Sequence, residues 1–343
     1  MSHPKVKFSL IGAGAIAQTH VQAFSGVEIA ELVAVSDIRV EAAKAIAGSV
    51  NCLDFSSYQA MVDAVELDAA IVCTPPVTHS EICIDLLERG IHVLCEKPLS
   101  ISVDDAQAMQ AAAQKSGALL TMASKFRYVE DAVKAKSIVQ SGILGEIVLF
   151  ENAFTSRVDM SARWNSNPMV SGGGVLIDNG THSVDLCRYF LGPLAEVQVV
   201  EGKRVQNLAV EDTIRIFVKS TAGVMGNIDL SWSINKELDY YIRIYGSQGT
   251  VSLGWKESKY HQTSSRDWVV FGSGYNKVQA FQAQLTNFAK AIRQEEPLLI
   301  TAEDAVASVE AIDAAYAALR QSHWTEISHP TYDLTDVPRE NAA

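Results

Sequence analysis

The stretch that most restricts how this chain can fold lies at its start. The apolar run VKFSLI at 6–11 stops at Gly12-Ala13-Gly14-Ala15-Ile16-Ala17, and the residues after it have helical character. Strand, glycine turn and helix in that order form the first unit of a dinucleotide-binding sheet. The first glycine makes the tight turn, the second lets backbone approach a pyrophosphate, and a small third residue lets the helix pack on the strand. Gly12, Gly14, Ala15 and Ile16 are therefore candidate cofactor contacts, with Ala17 at the packing position. The next strand, ELVAVS at 31–36, ends at Asp37, 20 residues beyond Ala17. A carboxylate there accepts hydrogen bonds from the adenosine ribose hydroxyls and repels a 2′-phosphate. The spacing predicts NAD, with NADP possible because Arg39 is placed to reach a 2′-phosphate.

The alternation continues with a buried strand DAAIVCT at 68–74, a helix through Glu81 to Glu88 and a strand His92 to Cys95. A capping box at Ser102 and Asp105 opens the next helix, Gly117 closes it, and ALLTM follows as a strand. Continuous apolar strands between helices predict a parallel, doubly wound sheet. Ligands of such sheets lie outside the carboxyl ends of the strands. Thr74, Pro75 and His79 of TPPVTH fall there, as do Glu96 and Lys97 of EKP. A lysine after a strand is by default a solvated surface residue, so Lys97 needs support from elsewhere.

From about Lys125 the pattern changes. A helix near Asp131 to Ser141 precedes strands at Glu146–Phe154, Ala195–Val205, Thr213–Lys219, Val224–Trp232 and Tyr240–Tyr245. Ile214, Ile216 and Val218 alternate with polar neighbours, as expected of antiparallel strands with two different faces. Helices near Val278–Arg293 and Ala302–Arg320 follow, and the tail from Ser328 reads as irregular. The fold class expected is α/β: an N-terminal Rossmann doubly wound parallel sheet (1–124) plus a C-terminal α/β domain (125–343) with a large open, predominantly antiparallel sheet. The boundary falls between Met122 and Arg127, which puts a cleft between the halves. Phe217, Trp232, Tyr240 and Tyr241 on that sheet exceed what one helix layer covers, so a homodimer or homotetramer through the open sheet is expected.

Residues 172 to 192, GGGVLIDNGTHSVDLCRYFLG, place Asp178 and His182 on one face of a helix, four positions apart behind three glycines. A general base and its orienting partner are held this way. An ordinary amphipathic surface helix has the same pattern, since Val184, Cys187, Phe190 and Leu191 fill the other side. A metal reading of Asp178, His182 and Asp185 lacks further ligands, so no metal is expected. Composition narrows the partners. The net charge is −12 and the basic residues are scattered, which argues against nucleic acid and anionic membranes and favours a small molecule. Five widely spaced cysteines suggest neither a disulfide framework nor a zinc site. With no apolar membrane span and no signal-peptide core, the expected location is cytoplasmic.

GAGAIA at 12–17, TPPVTH at 74–79, EKP at 96–98 and GGGVLIDNGTH at 172–182 together resemble the Gfo/Idh/MocA family, the glucose-fructose oxidoreductases, inositol dehydrogenases and their relatives. The resemblance covers almost the whole chain. It implies that Lys97, Asp178 and His182 are the catalytic lysine, aspartate and histidine, with Arg127 near the reacting centre in contact with cofactor and substrate. It also implies that Gly172 to Gly174 let backbone approach the ligands and that the polar stripe faces the cleft. Arg163 and Asn179 are further candidate substrate contacts. In the chemistry expected, His182 takes the hydroxyl proton as general base, Asp178 orients it or binds a neighbouring hydroxyl, and Lys97 stabilises alkoxide charge. The activity implied is NAD(P)-dependent hydride transfer with a sugar, sugar derivative or cyclitol. The alternatives are a glycoside-cleaving enzyme using held NAD and a non-catalytic nucleotide-sensing regulator.

Overall fold

A computed structural model of the protein describes residues 4–265 and 267–327. The first half builds β1 (Val6–Ile11), α1 (Ala15–Phe24), β2 (Ala30–Ser36), α2 (Val40–Val50), β3 (Leu53–Phe55), α3 (Tyr58–Ala64) and β4 (Ala69–Val72). It continues with α4 (His79–Glu88), β5 (His92–Cys95), α5 (Val103–Ser116) and β6 (Leu120–Met122). The six strands are parallel in the order β3-β2-β1-β4-β5-β6. The order reverses beside β1, so the carboxyl ends of β1 and β4 frame a crevice. Both faces are covered: Phe8, Leu10 and Val35 pack in one cluster, Ile11, Val72 and Val93 in another.

The second half contains α6 (Glu130–Gln140), β7 (Ile147–Thr155), α7 (Pro168–Ser171), α8 (Val175–Leu191), β8 (Leu194–Glu201), β9 (Thr213–Ser220) and β10 (Met225–Ser231). After them come β11 (Ile242–Gly246), β12 (Gly249–Leu253), β13 (Ser258–Gln262), β14 (Val269–Gly272), α9 (Lys277–Ile292), α10 (Ala302–Gln321) and β15 (Thr325–Glu326). Nine strands run β14-β13-β12-β11-β7-β10-β9-β8-β15, all antiparallel except β7 beside β10. The sheet is open and mainly antiparallel, as expected. The sequence reading missed β12 to β14, which are short strands extending one edge. It also ran β8 to Val205, whereas the strand stops at Glu201 because the Asp212 carboxylate takes the Val205 and Gln206 amides (3.0 and 2.9 Å) and turns the chain. The expected irregular tail from Ser328 lies outside the described residues.

The last two helices return to the first sheet. Phe281, Leu285 and Phe288 of α9 share a cluster with Phe8 and Leu10, while α10 packs Val306 and Val309 on the first unit and Ile312 and Ala315 on the second. The α8 helix is buried along nearly its whole length. Its polar stripe is therefore not a solvated surface face.

Candidate active site

The glycine turn behaves as its spacing requires. Gly12 has φ +93°, and a Cβ there would lie 2.8 Å from the Cys73 carbonyl. At Gly14 a Cβ would meet nothing within 4 Å, so the α1 N-terminus presents an open cradle that a side chain would fill. Helix N-termini bind phosphate there through free N–H groups and the helix dipole. Ala17 is fully buried against the strand. Asp37 accepts from the Ala13 amide at 2.7 Å and from the Arg39 amide at 2.7 Å. The Arg39 guanidinium also reaches it, at 3.2 and 3.1 Å. Although burial opposes its charge, these hydrogen bonds hold the Asp37 carboxyl below the usual carboxylate range. The cradle and the carboxylate together fit NAD.

The segments after β4 and β5 are tied together by His79. Its Nδ1 faces the Pro98 carbonyl at 2.9 Å and its Nε2 the Thr74 carbonyl at 2.8 Å, and the ring is fully buried. His79 was expected to contact the cofactor, but its buried ring is wedged between the Pro98 and Thr74 carbonyls, one of which accepts its single N–H, so it braces Thr74 and the Lys97–Pro98 turn instead. Pro75 is exposed at the mouth of the crevice. Glu96 is buried, with one oxygen 2.8 Å from His20 Nε2 on α1 and the other accepting from the Lys97 amide at 3.2 Å. Burial opposes its charge, but His20, Lys125 and Lys97 hold its carboxyl below the usual range.

Lys97 reaches across to α8. Its Nζ donates to Asp178 Oδ1 at 2.5 Å and to the Asp178 carbonyl at 3.0 Å. The two halves thus meet through an ion pair of partly buried side chains. One turn along α8, His182 is 5% exposed. Asp178 was expected to orient it, but the structure pairs Asp178 with Lys97 and sets His182 Nε2 3.2 Å from the Nζ of Lys125, while Nδ1 is buried without a hydrogen-bond partner. Burial, then the charges of Lys125 and Lys97, pushes the imidazole well below its usual range. His182 is therefore neutral at physiological pH. Asn179, beside them, is held loosely to the Phe154 carbonyl at 3.4 Å.

Two expected roles are corrected. Arg127 was expected to contact cofactor and substrate, but its guanidinium is spent on Asp185 (2.7 Å) and Asp304 (3.2 Å) and lies over the Tyr189 ring, in a side chain 4% exposed. It locks the start of the second half onto α8 and α10. Gly172 to Gly174 were expected to admit ligands. Gly172 has φ +80° and packs on Ile101, and a Cβ on Gly173 or Gly174 would lie 1.9 Å from the Tyr316 hydroxyl or 2.2 Å from the Glu211 carbonyl. They serve close packing within the protein. Arg163, an expected substrate contact, is exposed in the loop before α7, where its backbone amide bonds the Met160 carbonyl at 3.0 Å and its charge acts on Asp159.

Sequence reasoning missed three residues. Glu211 caps α8 from a distant loop by accepting the Gly174 and Leu176 amides (2.9 and 3.1 Å) and the Tyr316 hydroxyl (2.8 Å). A carboxylate at a helix N-terminus is favoured by the dipole. His20 and Lys125 are the others. His20 follows the glycine turn by less than two helical turns, which was the available signal. Lys125 had none beyond its place in KFRY.

Comparison with known proteins places the chain in a family. Residues 6–124 match the oxidoreductase family with an NAD-binding Rossmann fold, and residues 132–252 match the GFO/IDH/MocA C-terminal domain. The chain is 25% identical over 343 residues to inositol 2-dehydrogenase of Rhizobium meliloti, covering 94% of this chain and 99% of that protein. It is 34% identical over 196 residues to D-glucoside 3-dehydrogenase of Escherichia coli, covering 56% of each. Levoglucosan dehydrogenase in complex with NADH and levoglucosan has the same fold, with TM-score 0.88 at 19% identity over 94% of this chain and 99% of that one. The crevice and its carboxylate lie within the first matched region and α8 within the second, and the chain belongs to the Gfo/Idh/MocA family of NAD-dependent oxidoreductases.

Proposed function

We propose that the protein interconverts a secondary alcohol and a ketone on a sugar, sugar derivative or cyclitol, and that Lys97, Asp178 and His182 surround the reacting carbon. The observation that carries this reading is the Lys97–Asp178 pair at 2.5 Å, which joins the end of a nucleotide-binding strand to the substrate-side helix. NAD bound at the glycine turn supplies the hydride acceptor. Gly12, Gly14, Ala15, Ile16, Asp37, Thr74 and Pro75 would hold it, with Glu96 steadying Lys97 from below. Lys97, cationic and partly desolvated, stabilises negative charge that develops on the reacting oxygen. Asp178 orients that lysine and offers an acceptor to a neighbouring hydroxyl. His182, neutral, stands at the end of the site where the hydroxyl proton is exchanged.

The sugar and cyclitol activities named for the inositol and glucoside dehydrogenase relatives support the substrate class. Residues 1–124 form the nucleotide unit in this reading and 125–343 the substrate and assembly unit, with α9 and α10 folded back onto the first. A homodimer or homotetramer through the open sheet is part of the proposal. Trp232 and Tyr241, two of the aromatics that suggested it, are buried within the chain, whereas Val148, Val200 and Met225 are more than half exposed on sheet strands. A cytoplasmic location is part of the proposal, and no helix of the described residues is long and apolar enough to cross a membrane. The test is a panel of polyols, aldoses and glycosides with NAD, following NADH formation and aglycone release together. NADH with a ketone product supports the proposal, and aglycone release without net NADH would replace it with the glycoside-cleaving alternative.

A further inference from the structure

The cleft beside Lys97 holds more positive charge than its own carboxylates balance. Lys125 opens the short 3-10 turn Lys125–Tyr128 after β6, and Lys277 is the first residue of α9. Both ammonium groups lie 6.0 Å from the centroid of the same ring, Phe281, and the Lys125 Nζ is also 4.9 Å from the Phe126 centroid. The acids near them are already engaged. Asp178 holds Lys97 at 2.5 Å, and Glu96 faces His20 at 2.8 Å. Among the described residues neither Lys125 nor Lys277 forms an ion pair, and the hydrogen bond of Lys125 goes to His182 Nε2 at 3.2 Å. Three ammonium groups thus stand against two carboxylates, in a chain whose net charge is −12. We propose that Lys125 and Lys277 hold an anionic group of the substrate, so that the sugar or cyclitol oxidised here carries a carboxylate or a phosphate.

The inference rests on the dehydrogenase reading above and narrows its substrate class. Stability explains neither lysine. A cation in the first turn of a helix opposes the helix dipole, and that is where Lys277 stands, whereas the N–H groups there favour an anion beside it. Lys125 is partly buried among like charges. Burial, then Lys97, pushes its ammonium down to about 8, with Lys277 adding to this and Glu96 and Asp178 opposing it. The charges facing Lys125 come from three elements. Lys97 and Glu96 lie after β5, Asp178 and the neutral His182 on α8, and Lys277 at the start of α9. An anion held between Lys125 and Lys277 relieves their repulsion. The phosphates of the cofactor do not account for the pair, because they belong at the α1 N-terminus beside β1, and Lys125 follows β6, with β4 and β5 in between. Protonated Lys125 binds an anion better than the free amine, so affinity for an acidic ligand should fall as pH rises through about 8. Affinity for a neutral sugar should not follow that fall.

The test uses the full chain saturated with NADH. Calorimetric titration with glucose, glucuronate and glucose 6-phosphate, and with galactose and galacturonate, compares each neutral sugar with its acidic counterparts, and the same compounds are scored for turnover with NAD. An acidic form should bind at least about tenfold more tightly than its neutral parent, and the gap should narrow as salt is raised. Tighter binding of the uronate identifies the group as a carboxylate, and tighter binding of the sugar phosphate identifies it as a phosphate. Lys277→Gln should cut the ratio of acidic to neutral kcat/KM by about tenfold, and Lys277→Glu by more. NADH affinity and thermal midpoint in both variants should stay near wild type, showing that the cofactor site and the fold persist. Neutral sugars bound or turned over as well as their acidic forms overturn the proposal, as does an acidic-to-neutral ratio unchanged in Lys277→Glu or a failure of every acid and phosphate to bind. Salt-sensitive binding of an acid that depends on Lys277, with no hydride transfer from any compound, would instead support the anion site and remove the dehydrogenase reading.

Discussion

Replacing Asp37 by Ser should turn the cofactor preference toward NADP. The carboxylate sits at the end of β2 with a side chain 7% exposed and is held by the Ala13 amide and by Arg39. A 2′-phosphate at this place meets like charge. Two unit charges about 4 Å apart repel by ~1 kcal/mol in water and ~4 kcal/mol at an effective dielectric of about 20, so NAD should be favoured by roughly fivefold to a thousandfold. The substitution also releases Arg39. Its side chain is 66% exposed, so the pair contributes little to stability and the guanidinium is free to swing onto a phosphate. NADP kcat/KM should rise at least about tenfold, and NAD should lose a few-fold through the missing ribose acceptor. Adding Arg39→Ala should cancel most of the NADP gain. Initial rates with both cofactors, together with calorimetric affinities that need no substrate, measure the ratio. Equal use of NAD and NADP by the wild type, or an unchanged ratio in Asp37→Ser, refutes the assignment.

Other outcomes follow from particular contacts. Gly14→Ala should leave the thermal midpoint unchanged and weaken NAD binding, because its Cβ enters open space at the cradle, whereas Gly174→Ala should destabilise by about 1–3 kcal/mol because its Cβ meets the Glu211 carbonyl at 2.2 Å; differential scanning and NAD titration separate the two. Asp185→Ala leaves the buried Arg127 charge with only the 3.2 Å contact to Asp304 and should cost ~3–5 kcal/mol in urea denaturation. His79 and His182 are both pushed down by burial, so the unfolded chain binds more protons than the folded one below the unfolded histidine value of about 6.5. Stability should be full above that pH and fall as pH drops below it, by up to ~1.4 kcal/mol per unit for each ring. Unfolding midpoints from about pH 7.5 to 5 should show this slope reduced in His182→Asn, and an unchanged slope would refute it.

What the sequence disclosed depended on how local the cause was. Gly12, Gly14 and Asp37 could be read because the turn, the cradle and the strand end are set by residues within one βα unit. Asp178 and His182 could be placed on one helix face by spacing, and Lys97 by position at a strand end. The partnerships between them could not. Lys97 with Asp178 spans 81 positions and Lys125 with His182 spans 57, and each depends on how the two halves close. The same distance hid Glu211 as the cap of α8. Arg127 and the glycines at 172 to 174 show the reverse error, since each residue type suits a ligand site and each is used here for packing. The strands β12 to β14 escaped notice because each has only four or five residues, too few for alternation to stand out.

The most direct measurement of the central claim is hydride transfer itself. The best alcohol from the panel, deuterated at the reacting carbon, should be mixed with NAD and excess enzyme in a single turnover, for the wild type and for Lys97→Met. The account predicts label in the reduced nicotinamide, a primary isotope effect, and a transfer rate at least about a hundredfold slower in Lys97→Met with NADH affinity nearly unchanged. Label remaining in solvent or substrate, or an equal transfer rate in Lys97→Met, would contradict it.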